Sequence, residues 1–191
     1  EHSASVSQSE SVSITNTDPS IDTAASISGT ATTGSTLTCS ATFSDLNDGT
    51  LTAAYSWNVD GTEVGTDADY VISSTDTDPG DTLTCTATGT DMNGGSVSSS
   101  ATIDVQNTDP SIDSVSIDPN TDIEANTLLT CSSTSSDADS DTLTTSYAWT
   151  DGDGNTLGSD ASLQLDPASN SVGDSITCTV TVADEHSASI S

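Results

Sequence analysis

Residues 36–43 read Thr-Leu-Thr-Cys-Ser-Ala-Thr-Phe, so that apolar side chains alternate with Ser and Thr around Cys39. Alternation with a period of two residues predicts a β-strand with one buried face. Trp57 lies 18 positions after Cys39 in another strand-like stretch, and Cys85 lies in a third. This spacing of Cys, Trp and Cys over short alternating segments predicts an all-β fold.

The same pattern occurs a second time, with Cys131, Trp149 and Cys178. Trp149 again lies 18 positions after its cysteine, and it lies 92 positions after Trp57. A repeat of this length is too long for a solenoid unit and fits one independently folded domain. The chain of 191 residues is therefore predicted to hold two small domains.

A short motif marks where each copy starts. Asn-Thr-Asp-Pro-Ser-Ile-Asp occupies residues 16–22 and returns unchanged at 107–113. We call residues 16–106 the N-terminal half and residues 107–191 the C-terminal half, and we predict one domain in each. Residues 1–15 match the end of the N-terminal half and are predicted to be the last strand of a preceding domain.

The final strand of the C-terminal half is expected to be incomplete within these residues, because Glu1–Ser5 recurs as Glu185–Ser189. Two arrangements explain this pattern. Either a longer polypeptide continues through many domains, or residues 1–15 of one subunit complete the last domain of its neighbour by strand addition. Of the two, the continuous polypeptide is the commoner arrangement.

The four cysteines stand two per half at equivalent positions. They predict one disulfide within each half, Cys39 with Cys85 and Cys131 with Cys178. Disulfides persist in oxidising surroundings, so the chain is expected to be extracellular or on a cell surface.

The charge balance restricts the partners. The chain holds 30 Asp and Glu residues and neither Lys nor Arg, which gives a net charge of −30. Nucleic acids and anionic membranes are thereby excluded as electrostatic partners, and cations are expected instead; no run of residues is apolar enough to insert into a membrane. Acidic, Ser/Thr-rich chains are often disordered, but disorder gives no reason for Cys and Trp in matched register.

The Cys, Trp, Cys pattern resembles bacterial immunoglobulin-like and PKD-like repeats, in which Trp packs on a disulfide between two sheets. Tyr55 and Tyr147, each two positions before a tryptophan, and the Asn-Thr-Asp-Pro motifs support this resemblance. It implies tandem immunoglobulin-like β-sandwich domains with Trp57 and Trp149 in the cores. Leu83 stands where antibody domains carry the tyrosine-corner Tyr, which disfavours antigen recognition.

Two acidic loops are candidate calcium sites. One contains Asp45 and Asn47, and the other contains Asp137, Asp139 and Asp141. Oxygen ligands on alternate residues of a curled loop can converge on one Ca²⁺ ion, which takes six to eight oxygens. The alternative interpretation is a solvated acidic turn.

The Asn-Thr-Asp-Pro motifs form a second candidate, because they resemble the linkers of cadherin-like chains that calcium stiffens. In such a linker Asp18, Asp22, Asp109 and Asp113 could supply ligands, together with the nearby loop pair Asp91 and Asn93 or Asp184 and Glu185. The alternative is an ordinary proline turn that ends a strand.

Catalysis has little support in the sequence. His2 and His186 stand at equivalent places, and the N-terminal half has no histidine there. A Ser-His-Asp site needs one fixed constellation, so we interpret both histidines as exposed residues at strand edges, and we expect no enzyme.

The resulting expectation is a structural repeat of an extracellular filament shaft or adhesin stalk, joined to further copies of the same repeat in its own or neighbouring chains. Divalent cations would have to bridge the acidic chains if several of them form a bundle. The alternatives are a calcium-dependent ligand- or glycan-binding module and an accessory domain of a secreted enzyme. Glycan-binding surfaces usually present Trp or Tyr on loops, which distinguishes the first alternative from the shaft.

Overall fold

The computed structural model describes residues 5–191, and its regular secondary structure is entirely antiparallel β-sheet. None of the described residues is helical, so no helix that could cross a membrane occurs among them. The prediction of an all-β fold is confirmed. His2 and the rest of residues 1–4 lie outside the described residues.

The N-terminal half contains eight strands in two sheets. One sheet has the order β1-β2-β3 with β6 also paired to β2, and the other has the order β5-β4-β7-β8. The strands are β1 Ser20–Ser28, β2 Thr36–Asp45, β3 Gly49–Leu51, β4 Ala53–Val59, β5 Thr62–Gly65, β6 Asp69–Val71, β7 Thr82–Thr90 and β8 Ser96–Asp104.

The C-terminal half contains seven strands in two sheets. These have the orders β13-β10-β9 and β12-β11-β14-β15. The strands are β9 Ser111–Asp118, β10 Leu128–Ser136, β11 Thr144–Thr150, β12 Thr156–Gly158, β13 Ser162–Gln164, β14 Thr177–Ala183 and β15 Ser189–Ile190. The orders match those of the N-terminal half, except that no strand corresponds to β3.

Each half has one disulfide that joins its two sheets. Cys39 of β2 is bonded to Cys85 of β7, and Cys131 of β10 is bonded to Cys178 of β14. These are the pairs that the sequence predicts. Disulfides indicate an oxidising compartment.

Local sequence explains the strands and turns. In β2 the apolar side chains are buried and the Ser and Thr side chains between them are exposed, except at the end of the strand. Between β4 and β5, Asp60 and Gly61 have φ angles of 49° and 84°. Positive φ at both central residues is the geometry of a type I′ hairpin turn, which Asp-Gly favours.

The chain divides into two compact units that cut across the halves. The first comprises the chain up to Ser28 with Thr38–Asp69 and Thr84–Thr102, and the second comprises Gly29–Leu37, Tyr70–Leu83 and Ile103–Ser191. The predicted domain limits at residues 15/16 and 106/107 are not tested by this division and stay a prediction.

Each unit has its own buried apolar side chains. In the first unit Trp57 is fully buried, and Ala41, Phe43 and Ala87 form a cluster. In the second unit Trp149 is fully buried in a cluster with Leu129, Cys131, Leu165, Val180 and Val182. The indole N–H groups donate hydrogen bonds to the carbonyl oxygens of Asp67 and Asp160 respectively.

Residues 5–19 contain no strand. Val6, Val12 and Ile14 are 97%, 96% and 91% exposed. The apolar side chains Val6, Val12 and Ile14 lie at even positions, which also hold Gln8 and Glu10, and the odd positions from 5 to 15 hold Ser or Thr. Such alternation is typical of a strand. That this segment is the last strand of a preceding domain stays a prediction.

Candidate functional site

Each half gathers its acidic side chains around its Asn-Thr-Asp-Pro motif. The motif lies against two loops of the same half, one that follows β2 or β10 and one that follows β7 or β14. We call the two groups the first cluster (Asn16, Thr17, Asp45, Asn47, Asp48, Asp91, Asn93) and the second cluster (Asn107, Thr108, Asp137, Asp139, Asp141, Asp184, Glu185, His186).

In the first cluster, side-chain oxygens of the loop that follows β2 accept hydrogen bonds from protein donors. The buried Asp45 accepts hydrogen bonds through Oδ1 from the N–H groups of Asn47 and Asp48, at 2.7 and 3.0 Å. Asn47 Oδ1 accepts from Thr17 N at 2.9 Å and from Thr17 Oγ1 at 2.7 Å. Asp48 Oδ2 accepts from Met92 N at 3.0 Å.

Asp91 is satisfied in the same way on the second loop. Its Oδ1 accepts from the N–H groups of Asn93 and Gly95, each at 2.8 Å, and its Oδ2 accepts from Asn16 Nδ2 at 2.9 Å. The Asn16 side chain and these N–H groups hold the pKa of Asp91 below its ordinary value, because they bond the charged form. Asn16 Oδ1 in turn accepts from Asn93 Nδ2 at 2.8 Å.

The second cluster fixes its motif through two equivalent contacts. Asp139 Oδ2 accepts from Thr108 N at 2.6 Å, and Asp184 Oδ2 accepts from Asn107 Nδ2 at 2.7 Å. Asp184 Oδ1 accepts from Ala188 N at 2.9 Å. Burial raises the pKa of Asp184, but the bonds from Asn107 and the backbone outweigh it and leave this pKa below the ordinary value.

Unlike the first cluster, the second contains buried oxygens that accept no hydrogen bond. They are Asn107 Oδ1, Asp137 Oδ2 and Asp141 Oδ2. The Asp141 side chain is only 5% exposed. Buried polar atoms are nearly always paired, and a buried carboxylate oxygen without a donor leaves its negative charge uncompensated.

The surroundings of Asp141 destabilise its negative charge. Burial raises the pKa of Asp141, and the carboxylates of Asp137, Glu185 and Asp139 raise it further, against the opposing effect of His186. Among the described residues, the group nearest to Asp141 that can carry a positive charge is His186, whose Nε2 lies 3.6 Å from Asp141 Oδ2. A cation at this place would remove the repulsion among these carboxylates.

Two groups of side chains could hold a metal ion among the residues that the structure describes. Asp137, Asp139 and Asp141 form one, and Asp141, Glu185 and His186 form the other; within each, the potential ligand atoms all lie within 4.8 Å of one another. The first offers only carboxylate oxygens, which hard cations prefer, and the second adds an imidazole nitrogen.

The remaining predicted ligands are distributed differently. Asp45 and Asn47 lie in the first cluster. Asp18 lies beside this cluster, and its Oδ1 is near Gly95. Asp109 is exposed. Asp113 lies on β9 and its Oδ1 accepts from Ser136 Oγ at 3.1 Å, so it is not brought to either metal-capable group.

Sequence reasoning missed Asn107, and it left Glu185 only as a junction ligand and His186 only as a strand-edge residue. His186 is indeed exposed, but its ring also faces Asp141. The available signal was the substitution pattern between the halves, since Glu185 and His186 replace Met92 and Asn93, and Asp141 replaces Gly49. Each of these replacements introduces a carboxylate or an imidazole where the N-terminal half has a neutral residue.

Comparisons with protein-family models and with curated proteins found no match to this chain.

Proposed function

We propose that this chain is a structural repeat of an extracellular filament shaft or adhesin stalk, built from immunoglobulin-like domains in tandem and stiffened by calcium. One observation carries the proposal: every residue of the connection between the halves makes a hydrogen bond. It runs from Val105 to Thr108, and each of its four residues is hydrogen-bonded on one side or the other.

The bonds of this connection come from both halves. Val105 N donates to Asp81 O at 2.8 Å, and Gln106 N donates to Ala31 O at 2.7 Å. Asn107 and Thr108 are then held by Asp184 and Asp139 of the second cluster. Short linkers of Gly and Ser behave as flexible coils, whereas a connection in which every residue makes a backbone or side-chain hydrogen bond is held in one direction. Stiffness of this kind suits a shaft.

Calcium would act on the same connection, because Asp139 contacts the connection and also belongs to the group of carboxylates that could hold the ion. It accepts from Thr108 N and is also one of the three carboxylates that could share a cation. An ion held by Asp137, Asp139 and Asp141 would therefore fix the loop to which the connection is bonded. The acidic oxygen set and the saline surroundings that a chain of charge −30 needs both favour a hard divalent cation.

No observation favours the alternative of a glycan-binding module. Trp57 and Trp149 are fully buried and cannot form a binding platform.

The proposal is tested by the rigidity of the connection. We would compare small-angle X-ray scattering of the chain with that of a variant carrying Gly-Ser-Gly-Ser inserted between Gln106 and Asn107, both in saline with calcium. A rigid shaft predicts one narrow distribution of particle lengths for the natural chain and a broad distribution for the variant. Equally broad distributions would rule out a stiff connection.

A further inference from the structure

The C-terminal half has an apolar groove beside an unpaired strand edge. The groove is a cavity of about 640 Å³ whose apolar lining includes Ile117, Ile123, Leu129, Leu165, Val172 and Ile176. Next to it, β14 pairs with β11 along Thr177–Ala183, but β15 pairs only with Val182 and Ala183. Among the described residues, the other edge of β14 from Thr177 to Thr181 therefore faces no strand.

The N-terminal half shows what fills the equivalent place. There β8 runs for nine residues beside β7, and Val105, which follows it, is 3% exposed. Val105 N donates to Asp81 O, and Val105 O accepts from Gly80 N, both at 2.8 Å. The counterparts of Gly80 and Asp81 are Gly173 and Asp174, which line the groove.

Matched core positions are less buried in the C-terminal half than in the N-terminal half. Leu83 and Cys85 of β7 are fully buried, whereas their counterparts Ile176 and Cys178 are only partly buried. Val172 is fully exposed. The C-terminal half thus leaves apolar surface open that the N-terminal half covers with its edge strand.

The chain also carries a segment that matches this edge strand and pairs with no strand among the described residues. Residues 5–15 align without a gap with residues 96–106, so that Val12 stands at the position of Ile103 and Ile14 at that of Val105. Val12 and Ile14 are almost fully exposed. An exposed segment with apolar side chains and an open sheet edge are complementary, since strand addition satisfies the backbone of both.

We propose that the groove of the C-terminal half binds residues 8–15 of a second copy of this chain, which add to β14 as an antiparallel strand. Ile14 would occupy the place of Val105, with its backbone bonded to Gly173 and Asp174, and Val12 would lie beside Ile176. Copies joined in this way form an open head-to-tail chain. The inference rests on the proposed function as a shaft and names the contact that would extend it.

The side chains of the segment predict where the fit is good and where it is poor. Ser9 would lie opposite Thr179, as Ser100 lies opposite Thr86 with their hydroxyl oxygens 2.8 Å apart. Glu10, however, would occupy the position of Ala101, which is partly buried. A carboxylate at that place opposes binding.

The segment contains its own matched control. Val6 is as exposed as Ile14, but it aligns with Ile190, which the accepting copy already supplies in β15. We would measure association of the full chain by sedimentation in about 1 M NaCl, where the Debye length is about 3 Å and repulsion is screened. Ile14→Asp should weaken association about 100-fold, and Val6→Asp should leave it nearly unchanged.

Two further measurements separate this contact from others. Glu10→Ala should strengthen association, while Glu63→Ala, which removes the same charge from an exposed site, should have a much smaller effect. A variant that repeats residues 8–15 after Ser191 should be monomeric, because its groove is filled from within. A peptide of residues 5–15 should bind the natural chain and dissociate its oligomers.

A monomeric natural chain that does not bind the peptide would overturn the inference, and so would oligomers that persist in Ile14→Asp. Neither result would alter the rigidity of the connection at residues 105–108, which tests the proposed function separately.

Discussion

The two clusters occupy the same place in the two halves but stabilise their buried carboxylates differently. In the first cluster, Asn47, Asn93 and Asn16 supply amide groups, and the acidic oxygens Asp45 Oδ1 and both oxygens of Asp91 accept donors from the protein. In the second cluster, Asp141 Oδ2 accepts no hydrogen bond. Protein donors compensate the acidic oxygens of the first cluster, whereas the second cluster leaves buried carboxylate oxygens without a donor.

The comparison teaches that few changes separate these two states. Asn47 corresponds to Asp139, Gly49 to Asp141, and Asn93 to His186. The Asn16 side chain both donates and accepts in the first cluster, whereas the oxygen of Asn107 accepts nothing in the second. Two added carboxylates and one imidazole thus accompany the change from a hydrogen-bonded loop pair to a metal-capable one.

Removal of the disulfides should have the largest effect and should differ between the halves. The bridges close similar loops, with sequence separations of 46 and 47 residues, so each is worth about 4 kcal/mol in chain-entropy models. The C-terminal half has the less complete core, since Cys178 is only partly buried. We expect it to unfold in Cys131→Ala/Cys178→Ala, while the N-terminal half stays folded but weaker in Cys39→Ala/Cys85→Ala.

Urea unfolding followed by tryptophan emission measures this difference, because each half contains one buried indole. Loss of half of the native signal without urea is expected only for the Cys131/Cys178 variant. Equal behaviour of the two variants would show that the open groove does not weaken the C-terminal half.

Cation binding should be the next largest effect and should be confined to the second cluster. At a concentration 100 times the dissociation constant, calcium should stabilise the chain by about 2.7 kcal/mol. Asp141→Asn should abolish this gain, because it removes the buried charge shared by both metal-capable groups. Asp48→Asn is the matched control in the first cluster and should retain it.

Titration calorimetry with calcium alone, and thermal unfolding with and without chelator, measure both quantities. Identical melting curves in the two solutions would eliminate the metal hypothesis. A loss of binding in Asp48→Asn but not in Asp141→Asn would show that the ion binds in the first cluster and would contradict this prediction.

Without cations, the same Asp→Asn change should have opposite effects on stability in the two clusters. Asp91→Asn should destabilise, because Asp91 accepts three hydrogen bonds as a carboxylate. Asp141→Asn should stabilise, because it removes a buried charge that accepts no hydrogen bond. Melting temperatures in chelator give both signs, and a loss of stability in Asp141→Asn would contradict this account of the second cluster.

The pH dependence of Asp91 follows from its lowered pKa. A carboxylate whose pKa is lower in the folded state than its ordinary value of 3.8 stabilises the fold above that value. The contribution is lost as the pH falls through the folded pKa. The stability difference between the natural chain and Asp91→Asn should therefore shrink below about pH 4.

The sequence predicts much of this fold because its signals are repeated. Thr36–Phe43 lies within β2, and the predicted strand-like stretches that hold Trp57 and Cys85 are β4 and β7. It did not predict β3, because three residues, Gly49–Leu51, show no measurable alternation and pair with β2 only through tertiary structure. The segment that follows the predicted acidic loop is thus a short strand.

The sequence predicts the acidic loop of the candidate site, but it does not predict which residues from other parts of the chain approach that loop. Asp137, Asp139 and Asp141 stand on alternate residues of one loop, a pattern that is visible in the sequence. That Glu185 and His186 approach Asp141 depends on the packing of β14 beside β11, some 40 residues apart in sequence. Which oxygens accept no hydrogen bond depends on geometry alone.

The smallest expected effect concerns the asparagines that begin the two halves. Asn16 makes two side-chain hydrogen bonds, to Asp91 and from Asn93, while Asn107 makes one, to Asp184. With each bond worth about 1 kcal/mol, Asn16→Ala should cost about twice as much stability as Asn107→Ala when no cation is present. Chemical unfolding in chelator measures the two values, with Asn58→Ala as a control that changes an asparagine outside both clusters. Equal costs would mean that the unpaired oxygen of Asn107 is satisfied by solvent, and the contrast between a closed and an open cluster would then be limited to Asp137 and Asp141.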